Sequence, residues 1–371
     1  KKQENIWNFQ KHFVSLPSKQ IILVMRRIVL SLFWGLLAIR AMASYKVDGV
    51  YYVFDESTMG ATVVGLYDYA APYNNKSYSG EVIIPEHVTW NKKVYTVKAI
   101  GNYAFYGCDN LTGVKIPNSV EEIGVSAFCS CYNITEMTLP NSVTSIFNDA
   151  FYGCGFQKIT LSNNLSELGD RLFFGCPNLQ TIIIPDNVGV IGKETFRGCS
   201  SLKSVIFSIN LTSIGESAFR DCISLDRIVI PNSLTNMGDR VFMDCSGMKA
   251  ITLSNNMADI SIGAFSGCIS LESVQIPESV TSIGSSAFWG CTSLTEITIP
   301  DKLSSIGSYA FASCTSLVKA NIPHSLTVLS NSLFYGCNCL SDIIIPQNIT
   351  SIEEKAFMKS KIGRASCRER V

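Results

Sequence analysis

One spacing constrains this chain more than any other feature. Phe recurs at positions 105, 128, 151, 173, 196, 219, 242, 265, 288, 311, 334 and 357, and every step is 23 residues except the 22 between Phe151 and Phe173. Cys follows three residues behind, from Cys108 and Cys131 to Cys337, and the twelfth place holds Ser360. The shared template is xIGxxAFxGCxxLxxIxIPxSV, as in AIGNYAFYGCDNLTGVKIPNSV from Ala99 and SIGSSAFWGCTSLTEITIPDKL from Ser282. A unit this short cannot bury its own apolar face, but stacked copies can. The expected fold is therefore a repeat solenoid, mainly β or α/β, with one 23-residue coil per turn. The short step has a local cause: Gly155-Phe156 follows Cys154, where other coils use three residues to reach the Leu position.

Within a coil, LxxIxIP has the tight apolar spacing and β-branched residues of a short strand. Such strands would pair in parallel on one face. Pro117, Pro140, Pro185 and their counterparts close the strand, because proline has no N–H for a ladder. The Asn/Ser pair after them is turn chemistry. The segment xxAFxGC is expected to form a short helical turn opposite, with Gly101, Gly124, Gly215 and their equivalents supplying unusual backbone angles. Ser162, Ser208 and Ser254 replace the proline at 46-residue spacing, twice the repeat, which points to duplication of a two-coil unit.

The Cys column first suggests disulfides. Neighbouring coils lie within bridging distance, but equivalent Cα–Cβ bonds would point the same way, and a disulfide needs a dihedral near 90°. The preferred reading is a buried ladder of free thiols packed as small hydrophobes. Zinc is disfavoured because no CxxC pair occurs, and Cys129/Cys131 and Cys337/Cys339 are isolated CxC pairs.

The ends differ from the repeats. Met25, Arg26-Arg27, an apolar run from Ile28 to Ile39 and Ala41-Met42-Ala43 have the order of a secretory leader, so residues 25–43 are read as a signal peptide. Residues 1–24 are read as upstream, non-native translation. Residues 44–96, with strand-like Val47–Phe54 and Val94–Val97 and a turn at Asn91-Lys92, are expected to cap the solenoid as a β-rich segment. Residues 97–361 carry the repeats. IGRASCRERV, after Lys361, is read as an adaptor or vector scar over 362–371.

The template is similar to that of the BspA-like leucine-rich repeats, also called the Treponema pallidum type, over roughly residues 81–361. VDGVYYVF also looks like the lead-in of secreted members. The resemblance implies a bacterial secreted or cell-surface protein, some relatives being associated with adhesion to host matrix or to other microbes.

The leading function is accordingly a non-catalytic binding scaffold whose partner is a protein. The alternative is a glycan-binding or structural module of a longer, truncated envelope protein. With 30 basic and 30 acidic residues the chain has no net charge, so nothing marks a nucleic-acid partner. The mature chain is expected to have no membrane-spanning segment. His12, His87 and His324 are the only histidines, and no HExxH, P-loop, GxGxxG or Ser/His/Asp order occurs. No enzyme activity, metal or cofactor is expected. Two faces are candidates for binding. On the strand face, Ile183, Ile206 and Val229 form an outward apolar cluster beside Arg227 and Thr252. On the turn side, Tyr106, Tyr152, Trp289 and Tyr335 share the column that follows each Phe.

Overall fold

The computed structural model describes residues 44–65 and 77–362. The leader and upstream readings for residues 1–43, and the scar reading for 363–371, lie outside the described residues. From Lys46 onward the described residues belong to one compact unit.

Each coil has three sides. The first is the expected strand, typically three residues, such as Thr181–Ile183, Ser204–Ile206, Arg227–Val229, Ala250–Thr252 and Ser273–Gln275. These strands pair in parallel with the coil before or after, and equivalent residues face each other: Ile183 opposite Ile206, Val229 opposite Thr252. The middle residue turns inward, so Ile182, Ile228 and Ile251 are buried while their neighbours face solvent. The proline turn follows, closed by hydrogen bonds such as Val120 N–H to Pro117 O at 3.2 Å and Val188 N–H to Pro185 O at 2.9 Å.

The second side is a strand column that the sequence did not announce. Two-residue strands, among them Glu122–Ile123, Val190–Ile191, Ser213–Ile214 and Asn236–Met237, stack in parallel register. Ile123, Ile191, Ile214 and Met237 turn into the core.

The third side corrects the expectation of short helical turns. Around Phe219, alternate amides close i→i+3 turns within the coil: Ala218 to Gly215 O, Arg220 to Ser217 O and Cys222 to Phe219 O. The amides between them leave the coil for the next one: Ser217 to Asp239 O, Phe219 to Val241 O and Asp221 to Met243 O, at 2.8–3.0 Å. A helix would direct every amide along its own axis. Here half are spent on the neighbouring coil, and the segment is a ribbon of β-turns.

That ribbon needs two left-handed residues per coil. One column of them is almost entirely non-glycine: Tyr103, Asp149, Arg171, Glu194, Ser217 and Tyr309 all have φ between 53° and 61°. Each such residue costs on the order of 1 kcal/mol or more, offset here by the hydrogen bonds it directs to the next coil. The glycines expected to take unusual angles do not take them. Gly215 is needed for space: a Cβ there would lie 2.6 Å from the backbone of Gly192. Gly155, in the shortened coil, is tighter still, with a Cβ position 1.8 Å from Tyr132 O.

The core is a stack of phenylalanine rings. From Phe105 to Phe357 successive centroids lie 4.8–5.9 Å apart with interplanar angles of 4–22°. Beside it runs the thiol column. The described cysteines are free, and the thiols do more than fill space. Cys131 Sγ–H donates to Phe105 O at 3.1 Å, Cys222 to Phe196 O at 3.1 Å and Cys291 to Phe265 O at 3.2 Å. The same Phe carbonyls accept the amide of the Cys three residues on. Each Phe carbonyl therefore ties its own coil together and holds the next.

The three serines that replace proline have a physical role. Ser162, Ser208 and Ser254 are fully buried. Ser162 Oγ donates to Val143 O at 2.6 Å, Ser254 Oγ to Leu234 O at 2.7 Å and Ser208 Oγ to Asp186 O at 3.1 Å, each on the preceding coil. Each oxygen also accepts the amide two residues on.

Before the first coils, Val50–Asp55 and Gly60–Val64 form an antiparallel pair, and Gly60–Val64 runs parallel to Lys93–Ile100. His87–Trp90 pairs with Lys93–Ile100 through the expected turn, where Asn91 and Lys92 both have positive φ. Tyr78 lies on Phe105 at 4.7 Å and covers the start of the ring stack.

Candidate functional site

The strand ladder alternates inward and outward, and this places the sequence candidates. Ile183, Ile206 and Val229 are 64%, 60% and 66% exposed. Their inward neighbours are buried or nearly so, which fixes the register: a one-residue slip would put Ile182 and Ile228 in water. Ile183 and Ile206 are direct cross-strand partners. Between Ser204–Ile206 and Arg227–Val229 the ladder is interrupted; there Phe207 stands where neighbours have Ile184 and Ile230, packed edge-on to Phe219 at 5.7 Å. Ile209, in the adjoining turn, is 68% exposed and extends the apolar surface. Arg227 and Thr252 are exposed on the same face.

Charge is distributed unevenly beside this cluster. The column next to it reads Glu136 opposite Lys158 at one end and Glu296, Lys319 and Asp342 at the other. Between them stand Thr181, Ser204, Arg227, Ala250 and Ser273. In that one column the apolar cluster sits beside uncharged residues, Arg227 excepted, while Lys203, Asp226 and Lys249 stand one residue earlier in the same coils, the last two paired at 3.2 Å. Protein interfaces are depleted in Lys, Glu and Asp and enriched in Arg.

A groove of about 750 Å³ adjoins the cluster, lined by Val229, Thr252, Gln275, Asn232, Asn255 and Glu278 among others. It lies between Pro231 and Pro277, at the coil that carries Ser254 instead of proline.

The four aromatic candidates on the turn side share a column but not a state. Tyr106 meets Tyr103 edge-on at 5.8 Å, Tyr152 stacks on Phe174 at 4.9 Å, and Lys359 Nζ lies 5.2 Å over the Tyr335 ring. These three are half-buried. Trp289 is 45% exposed. The structure thus does not assemble the four into one continuous aromatic surface. Between them runs a network absent from the sequence reading: Asp149–Arg171 at 2.8 Å, Lys193–Glu216 at 2.9 Å and Glu194–Arg197 at 2.6 Å. Lys193–Glu216 and Asp149–Arg171 join adjacent coils, one 23 and one 22 residues apart, while Glu194–Arg197 spans three residues within a turn.

The thiols are chemically quiet. Burial pushes Cys108 and Cys199 up from 9.0 to about 12, and burial holds Cys131, Cys154 and Cys222 well above the ordinary value. A nucleophilic cysteine needs the opposite shift. Among the described residues no three His, Cys, Asp or Glu side chains are grouped as a metal site, and no helix is long and apolar enough to cross a membrane.

The family model for the BspA type leucine rich repeat region, six copies, matches residues 86–152, 121–249, 166–292 and 237–363. Among solved structures, the chain is similar to a leucine rich cell surface protein from Faecalibacterium prausnitzii A2-165, at 26% identity and TM-score 0.58, over 85% of this chain and 86% of that one. It shares the fold of the pneumococcal vaccine antigen PcpA, at 20% identity and TM-score 0.53, over 84% of this chain and 78% of that one. No curated protein sequence matches it.

Proposed function

Because the chain belongs to the BspA-type leucine-rich repeat family, we propose that it is a non-catalytic scaffold that binds a protein partner outside the cell through its outward strand face. The observation that carries this reading is the exposed Ile183–Ile206–Val229 cluster on the outward strand face. Burying these exposed apolar side chains against a partner would contribute roughly 25 cal/mol per Å². Arg227 at the edge supplies a planar donor of the kind enriched at interface centres. The similar Faecalibacterium protein, described as a cell surface protein, supports the location. On this reading residues 25–43 act as the export leader, and the partner is a host matrix protein or another microbial surface protein.

The test is binding of the purified chain to a panel of immobilised matrix proteins, repeated with Ile206→Glu. Saturable binding that the variant loses, with an unchanged circular dichroism spectrum, is the expected result. Equal binding by a folded variant would remove the strand face from the mechanism.

A further inference from the structure

The turn ribbon has a recess in its surface at the coil of Phe265. In the left-handed column that carries Tyr103, Arg171, Arg240 and Tyr309, Gly263 has no side chain. In the column after Phe that carries Tyr106, Tyr152 and Trp289, Ser266 is small and buried. These two small residues fall in the same coil. They leave a recess of about 370 Å³, walled by Trp289 and Tyr309 on one side and by Met243 and Arg240 on the other. That volume lies at the low end of the roughly 300–1,000 Å³ typical of small-ligand sites.

Trp289 is also unlike its column. Tyr106, Tyr152, Phe174 and Tyr335 each have a ring or a cation against them. Among the described residues Trp289 is in no such ring or cation pair, while 45% of it is exposed. Tyr309, beside it, is 43% exposed.

We propose that this recess is a subsite for one neutral pyranose unit of a glycan. The indole and phenol faces carry the negative side of the aromatic quadrupole, which suits the polarised C–H face of a sugar ring. Hydroxyls on the ring's edge can reach the Arg240 guanidinium and the Ser286 side chain at the rim. Arg240 is the one charged side chain in the lining, and it lies 3.6 Å from Glu216 Oε1. A cation would be repelled by the guanidinium, and an anion would compete with Glu216. A neutral polyhydroxyl ligand with one apolar face meets neither obstacle. The site is separate from the strand face and does not rest on the protein-binding reading.

The experiment titrates the full chain with the methyl glycosides of glucose, galactose, mannose and N-acetylglucosamine, with sialic acid as the anionic comparison, by calorimetry and saturation-transfer NMR. Two variants accompany it. Trp289→Ala removes the stacking face. Gly263→Tyr fills the recess with a side chain that Tyr103 and Tyr309 already carry at the same backbone angle, and the nearest atom its Cβ meets is the flexible Arg240 Cγ at 3.2 Å. Saturable binding of at least one neutral glycoside, weakened roughly tenfold or more by each folded variant, is expected. If Trp289→Ala does not fold, Gly263→Tyr decides alone. No binding by any neutral glycoside, binding by sialic acid only, or unchanged binding in Gly263→Tyr would overturn the proposal.

Discussion

Truncating one ring in the middle of the stack should weaken this fold more than truncating the last one, and by a calculable margin. Phe219 is fully buried, and its ring is stacked on Phe196 at 5.1 Å and on Phe242 at 5.4 Å, with Phe207 edge-on at 5.7 Å. Replacing a buried Phe by Ala costs about 3–5 kcal/mol through lost transfer energy and the cavity left behind. Aromatic pairs add about 0.5–1.5 kcal/mol each beyond area, which puts Phe219→Ala near the top of that range, about 5 kcal/mol. Phe357 is only partly buried and, among the described residues, has one ring neighbour, Phe334 at 5.7 Å. About 2 kcal/mol is expected for Phe357→Ala on the same reasoning. In a stack where each coil contacts mainly its neighbours, a weak internal interface also uncouples the two halves. Urea denaturation of Phe219→Ala should therefore become biphasic, and hydrogen exchange should show the coils on either side of residue 219 opening separately. A loss below about 1.5 kcal/mol, or equal losses for the two variants, would refute the ring stack as the chief source of cohesion.

Other outcomes follow from the thiols and the tight backbone. Ten column thiols, from Cys108 to Cys314, are held above their ordinary value by burial. The folded chain keeps these protons while the unfolded chain loses them above about pH 8.5, so stability is intact below that pH and falls as pH rises toward the folded values, by about 1.4 kcal/mol per thiol per unit. With ten such groups, unfolding is expected within about one to two units of pH 9 by circular dichroism, and a fold intact at pH 11 would count against a protonated, buried column. A thiol reagent applied to the native chain, followed by mass mapping, should label Cys339 first among the described cysteines, the others being buried; rapid native labelling of Cys222 would contradict the ladder. Gly215→Ala should cost about 1–3 kcal/mol by overpacking against Gly192. Gly263→Ala, whose nearest neighbour is a flexible side chain but whose φ is 61°, should cost about 1–2 kcal/mol in thermal melts, from the left-handed backbone and not from overpacking.

The repeat itself was legible because Phe and Cys recur at fixed spacing, and the three-residue strand because LxxIxIP alternates. The second strand column was not. Two residues such as Ser213-Ile214 are too few to show a period of two, and they are strands only because the next coil supplies partners. The turn ribbon has the length of a helical turn, and nothing in AFxGC says that alternate amides leave for the next coil. Left-handed Tyr103 and Arg171 carry no sequence mark, since residues of this kind rarely accept such angles. The glycines were read for their freedom, whereas Gly215 is there for its lack of a Cβ. The outward cluster at Ile183, Ile206 and Val229 was legible from alternation alone. The recess at Gly263 was not, because it depends on two small residues meeting in one coil and on the free faces of Trp289 beside them.

The most direct test of the strand face uses two isoleucines of one column. Ile206 is 60% exposed within the apolar cluster, and Ile344 is 79% exposed but stands opposite Asn321, outside it. Both outward positions should accept Glu without loss of fold. With a matrix protein bound by the parent chain, Ile206→Glu should weaken binding at least about tenfold, while Ile344→Glu should leave it unchanged. Equal effects of the two substitutions, or none from Ile206→Glu, would contradict a partner site at Ile183, Ile206 and Val229.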